Sequence, residues 1–278
     1  VDVLLLVNDD IAVIVEDKID TRDHSGQLPR YREAVRSAYP DRRVAAVYLK
    51  TGDQGNYQSV VEVGYGRFLR RDFLDVLDRG ERAGVANDIF TDFHRHLRGI
   101  EAAVQSFRTT PLAGWGGFQW RGFFLALQDR LGEGDWKYVP NAAGGFMGFW
   151  WHHRGNRYLQ LEDDKLCFKV AVPDEAQQTA RWLAWHHALI ATNGAGGVTV
   201  KKTTRRAGRW MTVAALDGDY RQADPGGLLD FDKTVDRLRA VEAFMDGAVV
   251  LAESGATAPT GSNPLDDRCD ADPPGPAV

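Results

Sequence analysis

Residues 1–31, VDVLLLVNDDIAVIVEDKIDTRDHSGQLPRY, decide how the rest of the chain is read. Two runs rich in Val, Ile and Leu, 1–7 and 11–19, have the composition of buried strands, and Asn8, Asp9 and Asp10 between them have that of a tight turn. Side chains alternate faces along a strand, so Glu16 and Lys18 share a face while Asp17 takes the other. With a three-residue loop at 8–10, Val7 pairs with Ile11, and counting along the ladder sets Asp2 opposite Glu16. Opposed residues lie roughly 4.5–5.5 Å apart at Cβ, so this register brings two carboxylates and an amine to one spot. Carboxylates that close repel unless a cation lies between them. An oxygen donor set of this kind suits Mg²⁺ or Mn²⁺.

The segment after the hairpin adds two groups. Pro29 is tolerated only in the first turn of a helix, so the spacing predicts a helix beginning near Ser25, with Ser25 as its N-cap. Gln27 and Tyr31 are four residues apart and fall on one helical face. Taken singly, each residue has a plain structural reading: Asp2 as a solvated chain-end residue, Glu16 and Lys18 as an exposed ion pair worth little, Gln27 and Tyr31 as ordinary helix residues. Their combination on an apolar hairpin is what favours a site.

In order, Asp2, then Glu16-x-Lys18, then Gln27-x-x-x-Tyr31 resembles the PD-(D/E)xK nuclease superfamily. The resemblance is closest to its branch with a Q-x-x-x-Y helix, as in RecB-like and phage lambda-type exonucleases. The phrase VEDKIDTRDHSGQLPRY also looks like a bacterial group of these proteins whose role is mostly unassigned. The specific part covers about residues 1–51. Val1 stands where the superfamily's name puts Pro, and the helix and first strand that open the family core are missing ahead of Asp2, so an N-terminal truncation is expected.

The resemblance implies an α/β, restriction-endonuclease-like core, a mixed sheet flanked by helices. It also implies a metal-dependent deoxyribonuclease, with a role in defence against foreign DNA or in repair. In that family pattern Asp2, Glu16 and the carbonyl of Asp17 would hold Mg²⁺ (or Mn²⁺), and Lys18 would position the attacking water. Gln27 and Tyr31 would bond the substrate backbone or the water network. Two alternatives stay open: a non-hydrolytic nucleic-acid or protein binding module on the same fold, and a scaffold whose acidic face is incidental.

The remaining chain sets the frame. Its 278 residues suffice for two modest domains, and a formal charge of −5 excludes a uniformly basic nucleic-acid binder, so DNA contact must come from local patches. Cys167 and Cys269 are far apart, which favours a reducing cytoplasm over a disulfide scaffold. No signal peptide or membrane span is read, since the leading apolar run breaks at Asn8. The composition shift at 109–117 predicts a nuclease-like domain over 1–108, an α+β domain over 109–252 and a disordered tail over 253–278.

Within the first domain the reading places strands at 43–50 and, as a short edge, 60–63, a helix at 72–77 and an amphipathic helix over 87–107. His94 and His96, about 200° apart on that helix, are expected at the surface. Within the second it places helices at 118–131, 174–192 and 228–251, a strand at 146–152, and hairpins from 157–162 with 166–172 and from 198–204 with 210–216. Trp150, Trp151, Trp182 and Trp185 are expected in the core or at an interface. Nucleotide loops, nucleophile elbows and Cys-x-x-Cys pairs are absent from the sequence. The basic hairpin tip, with Lys201, Lys202, Arg205, Arg206 and Arg209 beside Trp210, is the best candidate for phosphate contact.

Overall fold

The computed structural model describes residues 1–21, 26–142, 144–206 and 208–254. The chain divides into two compact units, Val1–Thr110 with Gly114–Leu125, and Pro111–Ala113 with Ala126 onward.

The first unit is built on a four-stranded mixed sheet of order β1-β2-β3-β4. β1 (Val3–Val7) and β2 (Ile11–Lys18) form the expected hairpin, with Val7 opposite Ile11 and Val3 opposite Val15, but β1 is the edge strand and is exposed along its length instead of buried as its composition suggested. Asn8 sits in the left-handed region (φ 48°), which Asn tolerates better than most side chains. α1 (Gln27–Ala38) then returns the chain so that β3 (Arg43–Lys50) lies parallel to β2. Alternation along β2 buries Ala12, Ile14 and Glu16, and along β3 it buries Ala46, Tyr48 and Lys50. This face packs against Leu28 and Val35 of α1, with Val60 and Tyr65 completing the cluster.

Residues 60–63 are not a strand. They belong mostly to α2 (Gln58–Glu62), which buries Val60 and leaves Val61 exposed, and whose ends are tied by Gln58 donating to Glu62 at 2.7 Å. A single inward position per turn is helical spacing, and two adjacent valines had masked it. The edge strand is β4 (Gly66–Leu69), parallel to β3, and the helix expected at 72–77 is longer, α3 (Arg70–Arg82). Asp72 accepts from the Leu69 amide at 2.8 Å at its start. α4 (Asp88–Gln105) is capped by Asn87, which accepts from the Phe90 amide. Ile89 at its start is 84% exposed, so the buried stripe begins later, at His94, Leu97 and Val104. α5 (Gly117–Leu131) contributes its first half to this unit.

The second unit holds a six-stranded antiparallel sheet of order β5-β6-β7-β8-β10-β9. Its strands are β5 (Asp135–Val139), β6 (Phe146–Arg154), β7 (Arg157–Glu162), β8 (Lys165–Ala171), β9 (Val200–Lys202) and β10 (Trp210–Leu216). The sequence reading lacked β5, whose half-exposed DWKYV carries too little apolar alternation to announce itself. Among the described residues this unit holds the second half of α5, α6 (Glu175–Ala191) capped by Asp174, α7 (Phe231–Gly247) capped by Asp230, and α8 (Val249–Ser254). The single closing helix expected over 228–251 is thus two, divided at Ala248. Trp151, Trp182 and Trp185 are buried. No helix of the described residues is long and apolar enough to cross a membrane.

Candidate metal and catalytic site

The paired register ends at Val3 opposite Val15, so Asp2 and Glu16 are the next positions along it. Oδ2 of Asp2 accepts the backbone amide of Asp17 at 2.7 Å, which ties the first acid to the peptide that follows the second. In a strand the N–H and C=O of one residue face the same edge, so the Asp17 carbonyl also faces Asp2. The Asp17 side chain is exposed, on the face away from Glu16.

Glu16 is fully buried on the face that α1 covers. Its Oε1 receives Lys18 Nζ at 2.5 Å and Gln27 Nε2 at 2.8 Å, and Gln27 Nε2 also lies 3.2 Å from the Tyr31 hydroxyl. The structure therefore brings Glu16 and Lys18 of β2 together with Gln27 and Tyr31 of α1, and holds Asp2, just ahead of β1, to the amide of Asp17. Ser25, expected to cap α1, lies outside the described residues; the residue before Gln27 is Gly26, in the left-handed region at φ 76°.

The donors leave a gap. Oε2 of Glu16 and Oε1 of Gln27 are both buried with no hydrogen-bond partner. An unsatisfied buried carboxylate oxygen costs about 1–3 kcal/mol or more, and such atoms mark strain, function or a missing ion. Both are hard oxygen acceptors, and a divalent cation with oxygen preference fits donors of that kind.

Three further residues support the site and escaped the sequence reading. Lys50 is Cα partner of Lys18 in the parallel ladder and is fully buried; its Nζ donates to the carbonyls of Ile19 (2.9 Å) and Thr21 (2.7 Å). The chain leaving β2 is thereby held against β3. Gly52 has to be glycine for the same reason, since a Cβ there would lie 2.1 Å from the Ile19 carbonyl oxygen. Tyr65 donates to the Leu28 carbonyl at 3.1 Å, and burial together with the charge of Glu16 pushes its pKa up to about 12. Alternation placed Lys50 on the same face as Tyr48, which was the available signal; a terminal lysine of a strand reads by default as solvated.

Elsewhere, His94 is not at the surface as expected but buried, with Nε2 2.6 Å from Asp78 Oδ1. Helix periodicity misplaced it because its partner lies on a different helix, sixteen residues earlier. The hydrogen bond with His94 and the Arg98 charge hold the Asp78 carboxyl below its ordinary range. Donor atoms of Asp78, Glu81 and His94, and of Glu133, His152 and Glu242, lie within 4.8 Å of one another in each group. Protein partners already engage both groups. Arg98 donates to Asp78 beside His94, while Glu242 accepts from Trp151 (2.7 Å) and Arg239 (3.0 Å), and His152 meets Asp246 at 3.0 Å.

Lys201 and Lys202 are exposed on β9, the edge strand of the second sheet, and Arg205, Arg206 and Arg209 lie in the loop to β10, whose Ala207 is outside the described residues. None of the five forms an ion pair among the described residues.

Residues 1–93 match the family model described as the PD-(D/E)XK nuclease superfamily. No curated protein and no solved structure matches the chain.

Proposed function

We propose that this chain, whose residues 1–93 belong to the PD-(D/E)XK nuclease superfamily, hydrolyses DNA phosphodiester bonds with Mg²⁺ or Mn²⁺ bound between Asp2, Glu16 and the carbonyl of Asp17. The observation that carries the reading is Glu16: a fully buried carboxylate with one oxygen bonded twice and the other not at all. Bound there, a divalent cation supplies Lewis-acid stabilisation of the phosphate oxygens and makes a water more acidic near neutral pH.

The protein's own groups do the rest. Lys18 Nζ, fixed on Glu16 Oε1, stands one carboxylate oxygen away from the open position. There it orients the attacking water and offsets the negative charge that develops on phosphorus oxygens. Gln27 links Glu16 to Tyr31 and keeps its own Oε1 unbonded to protein, available to accept from that water. The Tyr31 hydroxyl donates to the substrate backbone.

In this reading the nuclease-like domain spans 1–108, and the α+β domain of 109–252 contributes DNA contact through Lys201, Lys202, Arg205, Arg206 and Arg209, whose charges have no acidic partner among the described residues. Defence against foreign DNA or repair is the setting that the family resemblance supports, and the scarcity of cysteine supports a cytoplasmic one. The test is hydrolysis of single- and double-stranded DNA by the full chain with Mg²⁺ and with EDTA. Cleavage that needs the cation is expected; the same low rate in both, at saturating Mg²⁺ or Mn²⁺, would reduce the site to a binding module.

A further inference from the structure

The six-stranded sheet of the second unit has two unlike faces. On one, Phe168 meets Phe244 of α7 edge to face at 5.7 Å, Trp151 donates to Glu242 of the same helix, and Arg157 lies over Trp185 of α6. The helix layer is on that side. Alternation puts Tyr158, Lys169 and Thr212 on the other: they are register partners across β7, β8 and β10, and Lys169 Nζ donates to Thr212 Oγ1 at 3.1 Å.

Trp150, opposite Gln160, and Trp210, two residues before Thr212, share this second face. Tyr158 is buried there, Trp150, Gln160, Lys169 and Thr212 are half-buried and Trp210 is 46% exposed, so the face is open to solvent in part, most of all at Trp210. Its aromatic groups are ordered by one another. Trp210 meets Tyr158 edge to face at 6.1 Å, Tyr158 stacks on His153 at 5.0 Å, and the Arg209 guanidinium lies 4.9 Å from the Trp210 ring centroid.

Arg209 connects this surface to the hairpin whose five cations form no ion pair among the described residues, in a chain of net charge −5. The combination calls for a polyanion that also offers flat rings. A duplex presents phosphates but keeps its base faces stacked inside, whereas unpaired bases can be splayed onto an aromatic side chain. An anionic membrane would need apolar groups at the hairpin tip, and the described residues there are Thr, Arg and Gly, while Trp210 lies back on the sheet, opposite Ala171 and against Tyr158.

We infer that a single-stranded polynucleotide lies across this sheet face, its phosphates on the hairpin cations and its bases stacked on Trp210 and, further along, Trp150. The inference rests on the nuclease reading for its choice of a nucleic-acid partner, and it adds strandedness and the stacking residues.

The test is anisotropy of labelled oligo-dT, oligo-rU and duplex DNA, each of about 20 residues or pairs so as to exceed a single binding site, with the full chain in EDTA. Anionic phosphatidylserine vesicles form a fourth arm. Either single strand should bind more tightly than the duplex, and Trp210→Ala should weaken single-strand binding about 5- to 100-fold while leaving its salt dependence unchanged. Trp210→Phe, which keeps a stacking ring, should restore most of the affinity. Arg205→Ala with Arg206→Ala should flatten the slope of log K against log salt by about 1–2. Duplex bound as tightly as either strand, no response to Trp210→Ala, or binding to vesicles alone would overturn the inference. Because binding is read without metal, loss of cleavage together with intact single-strand binding counts only against the nuclease reading.

Discussion

Asp2 and Asp17 are joined by a hydrogen bond of 2.7 Å from the amide of the second to Oδ2 of the first. The acid just ahead of β1 is thus fastened to the backbone of β2 immediately after Glu16, and its position depends on that peptide group. Asn at position 2 keeps an oxygen acceptor for that amide but loses the charge. Asp2→Asn is therefore expected to fold as the parent does and to bind Mg²⁺ or Mn²⁺ at least tenfold more weakly, about 1.4 kcal/mol. Calorimetric titration of metal into both proteins checks this, and equal affinities would remove Asp2 from the ligand set.

A cation that fills the open oxygen of Glu16 stabilises the folded state by mass action. At a free concentration a hundred times its Kd the gain is about 2.7 kcal/mol. Thermal unfolding with increasing Mn²⁺ should show a rising Tm for the parent and a flat response for Asp2→Asn. A rise of the same size in both proteins would place the cation elsewhere.

Lys50 holds two backbone carbonyls from a fully buried position. Lys50→Met keeps the aliphatic stem and strands both acceptors, so a loss of about 3 kcal/mol is expected in urea unfolding. Cleavage should fall as well, since the segment Ile19–Thr21 leaves directly from the Glu16-x-Lys18 strand. A variant as stable as the parent would mean that water replaces the ammonium.

Tyr57 and Tyr65 both have pKa values pushed up to about 12, burial being the first cause in each, followed by the charge of Asp53 for Tyr57 and of Glu16 for Tyr65. Unfolding returns them to about 10, so between pH 10 and 12 the unfolded chain has lost protons that the folded one keeps. Their contribution is complete below pH 10 and is lost as pH rises through 12. Urea midpoints should drop steeply across that window, and Tyr65→Phe should make the drop shallower. An unchanged slope would assign the alkaline loss to other groups.

The grouping of Glu16, Lys18, Gln27 and Tyr31 was legible in the sequence where local rules determine position. A three-residue loop sets the hairpin register, period-two alternation turns Glu16 and Lys18 inward, and helical spacing aligns Gln27 with Tyr31. What stayed hidden depends on contacts remote in sequence. The Lys50 ammonium is used by carbonyls about thirty positions earlier. His94 is buried by Asp78 from another helix. Arg70 is buried through bidentate bonds to Asp53 and a third to Glu101, a network whose members look like ordinary surface charges when read singly. Val60 and Val61 show the opposite failure: β-branched composition suggested a strand, and packing of one valine against the core made a helix.

The most direct measurement is DNA cleavage by the full chain at saturating Mg²⁺, parent beside Lys18→Ala, with circular dichroism to show that both are folded. Lys18 is the group assigned to the water and to the charge forming at phosphorus, so the variant should lose about a hundredfold or more in rate while still binding the cation. A folded Lys18→Ala protein that cuts as fast as the parent would contradict the assignment of this hairpin as the catalytic centre.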